Sequence, residues 1–163
     1  MPLLSVENLF YTYPNGVRAL DGVSFCVETT DCVGLVGSNG AGKSTLLLIL
    51  CGLIMPDSGR ITIDGVALKK ENLALIRNMI GMVFQNPDDQ LFMPTIYEDV
   101  AFGLQHRGYA PEIIDQKVRQ TLKHLQIEHL AQRPPYRLSG GEKRSAAIAT
   151  VLSMEPHLML FDE

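Results

Sequence analysis

Cysteine and basic residues are both scarce in this 163-residue sequence, and each shortage narrows the functions open to it. The three cysteines, Cys26, Cys32 and Cys51, are odd in number and show no metal-type or redox-type spacing, so a disulfide framework is not expected. The 14 Lys and Arg residues against 18 Asp and Glu residues give a formal net charge of −4. Without a basic field, nucleic acid is not an expected partner, and the cysteine usage favours a reducing cytoplasm.

A long hydrophobic run is also lacking. The most apolar stretch, Leu46–Met55, has about half of the roughly 20 residues that a membrane-spanning helix needs. The chain does not open on a basic-then-apolar leader, because Met1–Asn8 already alternates like a strand. Any membrane role is therefore expected to come through a partner.

The composition that remains, 46% hydrophobic and 20% charged residues, predicts a packed globular domain. A turn at Pro14–Gly16 predicts an antiparallel hairpin whose second strand is Ala19–Glu28. The alternating stretch Asp57–Gly65 predicts a further strand of the same lobe. Two short apolar runs, Cys32–Gly37 and Ile80–Gln85, predict buried strands, as in a parallel sheet that is covered on both faces.

A phosphate-binding loop is predicted at Gly37–Ser44, which reads GSNGAGKS and fits the pattern G-x-x-x-x-G-K-[ST] between a predicted strand and a helix expected over residues 43–53. Glycines allow successive backbone N–H groups to face an anion at the helix N-terminus. Lys43 adds positive charge toward the β- and γ-phosphates, and Ser44 is expected to ligate Mg²⁺. The alternative is a glycine-rich turn with no ligand.

The second half of the chain changes to helical periodicity. Between Ile96 and Arg133 one helical face is predicted to carry Ile114, Val118, Leu122 and Leu125. Another helix is predicted from about Gly140 to about Met154. The pentapeptide LSGGE, which a chain of this length contains by chance on the order of once in 3,000 cases, overlaps the start of that helix. The last six residues, LMLFDE, predict a buried strand that delivers Asp162 and Glu163 at its C-terminal end.

The phosphate loop, LSGGE and LMLFDE, in that order and over the whole chain, resemble the nucleotide-binding subunit of ABC transporters. The resemblance implies an α/β fold, with a P-loop NTPase core built on a mainly parallel sheet, an N-terminal antiparallel β lobe and a helical signature subdomain. A single domain over residues 1–163 is then expected. Its parts are the β lobe with the phosphate-loop core (1–84), the Q-loop with the helical subdomain (85–154) and the Walker B strand (155–163).

The resemblance also implies ATP and Mg²⁺ as cofactors. Glu163 is the implied general base, with Gln85 and Lys43 as further catalytic residues, and the implied Mg²⁺ contacts are Ser44, Gln85 and Asp162. Tyr13 is implied to stack on adenine, with a core aromatic of the hairpin as the alternative role and Tyr11 as the other candidate. The remaining implied ATP contacts are Gly37, Ser38, Asn39, Gly40, Ala41, Gly42, Lys43, Ser44 and Thr45. The residues implied to contact ATP held by an opposite monomer are Leu138, Ser139, Gly140, Gly141 and Glu142.

The segment Gln85–Gly103, QNPDDQLFMPTIYEDVAFG, more closely resembles ATPases of energy-coupling-factor importers and of cobalt or nickel uptake systems. Its acidic residues, Asp88, Asp89, Glu98 and Asp99, are expected to form a solvated surface rather than a metal site. The resemblance implies an ATPase at the cytoplasmic face of the membrane that closes as a head-to-tail dimer with an identical or paralogous subunit. Transmembrane subunits would select the cargo, a metal ion or a vitamin.

The family continues beyond Glu163 with a D-loop and a strand that carries a switch histidine, so the resemblance implies a truncated chain. Because that strand lies between the phosphate-loop strand and the Walker B strand, Cys32–Gly37 and Leu158–Phe161 are expected to expose backbone and apolar side chains. Two alternatives stay open. One is a non-catalytic nucleotide-binding fragment, and the other, which the lack of basic patches disfavours, is a soluble ATPase that acts on nucleic acid or the ribosome.

Overall fold

The computed structural model describes residues 2–162, and the predicted general base Glu163 lies outside them. The chain divides into two compact units. The first unit runs to Ile80 and includes Asp162, and the second runs from Gly81 to Phe161. The fold is α/β, as the sequence predicts.

The first unit is built on an antiparallel sheet of four strands in the order β2-β1-β3-β4. Their bounds are Leu4–Thr12 (β1), Arg18–Val27 (β2), Ser58–Ile63 (β3) and Val66–Ala67 (β4). The predicted hairpin at Pro14–Gly16 is confirmed: the Gly16 N–H donates to the Tyr13 carbonyl at 2.8 Å, and β1 pairs antiparallel with β2. Pairing of β1 with β3 on its other side, with Leu4 opposite Ile63, confirms the third predicted strand.

Alternation along β1 places Leu4, Val6 and Leu9 in the core at 0–2% exposure. Two helices complete the unit, Lys43–Leu50 (α1) and Leu73–Met79 (α2). α1 buries Leu46, Leu47, Ile49 and Leu50. It is apolar on most sides, because leucine and isoleucine occupy nearly every position after its first turn, and so it is an internal helix rather than an amphipathic surface helix.

The predicted strand at Cys32–Gly37 is wrong. This run has no regular secondary structure, and the exposed fractions of Val33, Leu35 and Val36 are 54%, 42% and 99%. A β-strand forms only where a neighbouring strand pairs with its backbone, and none of the strands within residues 2–162 pairs with this run. The exposure agrees with the expectation that this run lacks a pairing strand.

The second unit is mainly helical, with α3 at Ile96–His106, α4 at Pro111–His124 and α5 at Gly140–Leu152. The predicted helical face is confirmed in α4, where Ile114, Val118 and Leu122 are buried. They pack in one core with Ile96, Val100, Leu104, Leu130, Ala146 and Ala149, and Leu125 packs partly buried against it. The helix predicted from Gly140 is also confirmed, and it ends at Leu152.

A two-stranded sheet of Ile80–Val83 (β5) and Leu158–Phe161 (β6) accompanies these helices. β5 is buried as predicted, and Val83 packs with Ala147 and Val151 of α5. A Cβ atom on Gly81 would overlap the Val151 side chain, so this strand and α5 approach too closely for any larger residue. β6 is buried at Leu160 only, and Phe161 is 49% exposed. The strand is therefore less buried than its apolar run alone predicts, in agreement with the expectation that Leu158–Phe161 exposes apolar side chains.

Candidate functional site

The predicted phosphate loop leads directly into α1, and two glycines give it its shape. Gly40 and Gly42 have φ angles of 81° and 87°, which is the left-handed region that glycine adopts without strain. Gly42 is the residue before the helix, and a Cβ atom there would collide with the Ala19 carbonyl oxygen of β2. Glycine at this position therefore allows the loop to lie against the sheet and α1 to begin at Lys43.

In the described part of the chain, no acidic side chain of the first turn offsets the positive end of the helix dipole at the N-terminus of α1. Within the described residues, α1 has no side-chain cap hydrogen bond and no acidic residue in its first turn. The amides of Asn39 and Gly40 have no hydrogen-bond partner in the part of the chain that the structure describes. Unpaired amides at a helix N-terminus are suited to bind an anion such as a phosphate group.

Lys43 folds back over this loop. Its Nζ donates to the Gly37 carbonyl at 2.9 Å and to the Ser38 carbonyl at 3.1 Å. The Ala41 amide also donates to the Ser38 carbonyl, at 3.1 Å, which closes the loop on itself. The ammonium group therefore lies against the loop backbone, where its positive charge can attract an anion that the loop amides bind.

Ser44 and Asp162 are brought together although 118 residues separate them in sequence. The Ser44 Oγ donates to Asp162 Oδ1 at 2.9 Å, and Asp162 directly follows β6. Hydroxyl and carboxylate oxygens are metal ligands of the kind that Mg²⁺ prefers. These two oxygens fit the predicted Mg²⁺ contacts, and Ser44 directly follows Lys43 in the sequence.

Tyr13 lies beside Thr45, the last residue of the segment 37–45 that is predicted to contact ATP. Its hydroxyl and the Thr45 Oγ1 are 2.7 Å apart, and Thr45 is buried in α1. The Tyr11 and Tyr13 rings meet edge to face with centroids 5.0 Å apart. The hairpin therefore presents a pair of half-buried aromatic rings, one of which is hydrogen-bonded to the helix that follows the phosphate loop.

The LSGGE residues form the start of α5 in the second unit. Ser139 caps the helix: its hydroxyl accepts from the Glu142 N–H at 3.4 Å, and the Glu142 carboxylate accepts from the Ser139 N–H at 2.7 Å. Ser139 Oγ also donates to Glu142 Oε2 at 2.8 Å, and these bonds lower the pKa of Glu142. Leu138 is buried in the helical core, whereas Gly140 and Gly141 are exposed. The pentapeptide is thus a capping box that displays two glycines.

Gln85 follows β5 and is exposed. The backbone carbonyl oxygen of Gln85 accepts a hydrogen bond from Arg144 Nη1 of α5 at 3.2 Å. Asp88, two residues after Asn86, contacts the same helix through Lys143 Nζ at 2.6 Å. The segment that carries Gln85 is therefore attached to the LSGGE helix.

The roles of Gln90 and Asp99 are not predicted from the sequence. Gln90 bridges the end of β5 and α5 through three hydrogen bonds, and nothing in the sequence pattern points to it. Asp99, predicted to lie on a solvated acidic surface, is 4% exposed and accepts the N–H groups of Phe92 and Met93 at 3.0 Å each. The prediction is wrong for Asp99 because this carboxylate replaces solvent as acceptor for a tight turn.

A sequence signal for that turn existed. Thr95 caps α3, and Thr95 Oγ1 donates to Glu98 Oε2 at 2.8 Å, which is the local T-x-x-E capping pattern. The pattern places the start of α3 at Ile96, and Asp99 then faces back toward the preceding turn. Burial raises the pKa of Asp99, and the two backbone donors partly oppose that shift. Over residues 2–162 the structure contains no group of three or more His, Cys, Asp or Glu side chains placed to hold a metal ion.

Comparison with known proteins adds a family and several relatives. A family model described as ABC transporter matches residues 20–163. The energy-coupling factor transporter ATP-binding protein EcfA of Carboxydothermus hydrogenoformans is 48% identical over 98% of this chain and 59% of its own length. EcfA of Methanosphaera stadtmanae is 47% identical over 99% of this chain and 59% of its own length.

A solved structure resembles the chain over almost all its residues. CbiO1 from Clostridium perfringens, described as part of the ABC transporter complex cbiONQ, superposes with a TM-score of 0.90 at 39% identity. That match covers 99% of this chain and 65% of the CbiO1 chain. The chain thus spans between about half and two thirds of the length of these relatives. None of the helices within the described residues has the length and apolarity to cross a bilayer.

Proposed function

Because this chain belongs to the ABC transporter family, we propose that it binds and hydrolyses ATP to energise an importer. The observation that carries the proposal is the Ser44 Oγ to Asp162 Oδ1 contact of 2.9 Å at the end of the phosphate loop. Two motifs that are 118 residues apart in sequence meet where the triphosphate and its metal ion would bind. A glycine-rich turn without a ligand gives no reason for that contact.

The phosphates of ATP are proposed to bind at residues 37–45. The exposed amides of Asn39 and Gly40 and the N-terminus of α1 supply donors, and Lys43 exchanges its bonds to the Gly37 and Ser38 carbonyls for bonds to phosphate oxygens. Tyr13 is proposed to stack on adenine through the exposed part of its ring. Phosphoryl transfer depends mainly on positioning and charge neutralisation, which are the properties that this loop offers.

Ser44 and Asp162 are proposed to hold Mg²⁺, with Gln85 as a further contact on the family resemblance alone. The bound ion would neutralise negative charge on the phosphate oxygens. Asp162 Oδ1 accepts a hydrogen bond from the Ser44 hydroxyl and so orients it. Glu163 is proposed as the base that orients the attacking water, on its place in LMLFDE.

The LSGGE residues are proposed to contact ATP held by a second ATPase subunit, identical or paralogous. The exposed Gly140 and Gly141 at the N-terminus of α5 support this role, because backbone amides there can approach an anion without side-chain obstruction. Transmembrane subunits are proposed as the other partners, with the chain peripheral at the cytoplasmic face. The names of the relatives support an importer of the energy-coupling-factor or cobalt-uptake kind, with a metal ion or a vitamin as cargo.

A non-catalytic nucleotide-binding role is the second candidate, and one observation favours it. The run that leads into the phosphate loop, Cys32–Gly37, pairs with no strand within residues 2–162, and Val36 is 99% exposed. A loop whose flanking backbone is not fixed by a sheet holds a triphosphate less precisely, and small displacements from the reactive geometry slow a reaction strongly. In this role the chain binds ATP without efficient turnover.

Steady-state hydrolysis separates the two candidates. In a chain extended to the length of its relatives, we expect the wild type to release phosphate from Mg-ATP, and the Glu163→Gln variant to lose turnover by at least roughly 100-fold while it keeps its affinity, since positioned general bases contribute about 10²–10⁴-fold. Glu112→Gln, an exposed carboxylate in the first turn of α4, is the matched control and should hydrolyse normally. Binding without hydrolysis in the wild-type chain would support the non-catalytic role, and neither binding nor hydrolysis would refute both.

A further inference from the structure

Gln90 makes three hydrogen bonds that use its whole side-chain amide. Its Oε1 accepts from the Phe84 N–H at 3.1 Å, and its Nε2 donates to the Ala147 carbonyl at 2.8 Å and to Thr150 Oγ1 at 2.8 Å. The Phe84 N–H can only donate and the Ala147 carbonyl can only accept, so the partners fix the orientation of the amide. Gln90 is half-buried, as these contacts require.

The same face of α5 holds the segment at two more points. Lys143 Nζ contacts Asp88 Oδ1 at 2.6 Å, and Arg144 Nη1 donates to the Gln85 carbonyl at 3.2 Å. Positions 143, 147 and 150 fall on one face of a helix, with position 144 beside it. The segment 84–90 is therefore attached along two turns of α5. Among the hydrogen bonds named above, Gln90 alone joins the segment to two groups of α5.

We propose that Gln90 is a positioning residue for Gln85. It fixes the amide of Phe84, the residue directly before Gln85, to the helix that begins with LSGGE. The two motifs then move as one body, so that a displacement of α5 carries Gln85 with it. The significance for ATP hydrolysis rests on the proposed function, whereas the hydrogen-bond coupling itself does not.

The chemistry of the contact explains why glutamine occupies position 90. Asparagine is one methylene shorter and does not span from Phe84 to Ala147. Ionised glutamate keeps an acceptor for Phe84 but has no proton to donate to the Ala147 carbonyl. Alanine leaves the partly buried Phe84 N–H without its side-chain acceptor, so the free energy of that hydrogen bond is lost.

Amide hydrogen exchange at Phe84 tests the coupling directly. Relative to wild type, we expect Gln90→Ala to exchange at Phe84 roughly tenfold faster, which corresponds to loss of about one net hydrogen bond. Gln116→Ala, at an exposed position of α4, is the matched control and should leave Phe84 exchange unchanged. Equal protection of Phe84 in wild type and Gln90→Ala would overturn the proposal.

The Gln90→Glu variant distinguishes a hydrogen-bonding role from mere space filling. At neutral pH its carboxylate opposes the Ala147 carbonyl, and Phe84 should exchange as fast as in Gln90→Ala. Below its pKa, ordinarily about 4.3, the protonated carboxyl has a donor and an acceptor and should restore Phe84 protection. Because the Lys143 ammonium contacts Asp88 in the same segment and Arg144 contacts the Gln85 backbone carbonyl, each rate is divided by the wild-type rate at the same pH. A ratio that does not change with pH would contradict the proposal.

A third arm concerns function. In Gln90→Ala, kcat for ATP should fall several-fold while KM and Mg-ATP affinity stay within about twofold, because the hydrogen bonds of Gln90 go to Phe84, Ala147 and Thr150 rather than to residues proposed to bind the phosphates. An equal rise in KM would instead indicate general disruption and would count against positioning. If wild-type chain binds no Mg-ATP, the proposed function fails, but the exchange ratios at Phe84 still decide whether Gln90 fixes this segment.

Discussion

The phosphate loop of the first unit and the LSGGE helix of the second carry comparable motifs but are held in opposite ways. Loop residues 37–42 are mostly exposed, and the Lys43 ammonium donates to the Gly37 and Ser38 carbonyls of the same loop. The start of α5 is satisfied by its own chain through the Ser139 and Glu142 capping box, and its side chains also hold residues 84–90. Side-chain hydrogen bonds fix the start of α5, whereas, within the described residues, the N-terminus of α1 has no side-chain cap.

This difference predicts that substitutions in the two regions change different quantities. Changes in the loop should alter nucleotide affinity and leave the stability of the ligand-free chain almost unchanged. Changes around α5 and its neighbours should do the reverse. The substitutions that follow run from the largest expected effect to the smallest.

Lys43→Ala should weaken Mg-ATP binding the most. We expect the dissociation constant to rise by roughly 10- to 100-fold, because a hydrogen bond to a charged group contributes about 1.5–3 kcal/mol. The free energy of unfolding without ligand should barely change, since the hydrogen bonds of Lys43 to the Gly37 and Ser38 carbonyls are exposed to solvent. Isothermal titration and chemical denaturation measure the two quantities. A loss of ligand-free stability as large as the loss of binding would break the comparison.

Asp99→Ala should show the opposite pattern. It removes the acceptor of the Phe92 and Met93 amides, and we expect the free energy of unfolding to fall by about 2 kcal/mol, since a buried unsatisfied donor costs about 1–3 kcal/mol. Mg-ATP affinity should not change. Asp89→Ala, at an exposed acid ten residues earlier, is the matched control for removal of a carboxylate. Equal stability of Asp99→Ala and wild type would contradict the assigned role.

Ser139→Ala should have a smaller effect of the same kind. Loss of an N-cap serine costs typically about 1 kcal/mol of stability. Ser153→Ala, near the other end of α5, is not a matched control because Ser153 is buried and donates to the Val100 carbonyl. Thermal unfolding of Ser139→Ala beside Ser139→Asp, which preserves an N-cap acceptor, isolates the cap. Similar destabilisation in both variants would show that the cap is not what Ser139 contributes.

Substitution of Glu142 should have the smallest effect on the free energy of unfolding, and that effect should depend on pH. Its folded pKa is lowered by hydrogen bonds from the Ser139 backbone and hydroxyl, so the carboxylate stabilises the fold above its unfolded pKa. That contribution should be lost as the pH falls through the folded pKa. Glu142→Gln should therefore flatten the acidic limb of stability against pH, and an unchanged limb would show that the capping box contributes nothing measurable.

Much of this arrangement was predictable from sequence because local signals are strong where they specify backbone. The Pro14–Gly16 turn gave the hairpin, GSNGAGKS gave the loop and the start of α1, and the repeat of Ile114, Val118 and Leu122 gave the buried face of α4. Each of these depends on residues close in sequence. The meeting of Ser44 with Asp162 was predictable only because both belong to motifs of one family.

The failures have a common physical cause. Cys32–Gly37 has the composition of a buried strand like Ile80–Val83, but burial and pairing depend on neighbours that the run itself does not contain. Gln90 and Asp99 read as ordinary polar residues, and their roles come from partners distant in space or across a turn. Tertiary contacts of single polar side chains leave no periodic signal in the sequence.

The measurement that tests the central claim most directly is thermal unfolding of wild-type chain and Asp162→Asn with ATP, in the presence and absence of Mg²⁺. A ligand that binds only the folded state raises the midpoint by mass action. We expect Mg²⁺ to add a clear upward shift with ATP in wild type, and this Mg²⁺-dependent part to disappear in Asp162→Asn. Equal shifts with and without Mg²⁺ in wild type, or an undiminished Mg²⁺ effect in Asp162→Asn, would contradict the assignment of Ser44 and Asp162 as the metal-binding pair.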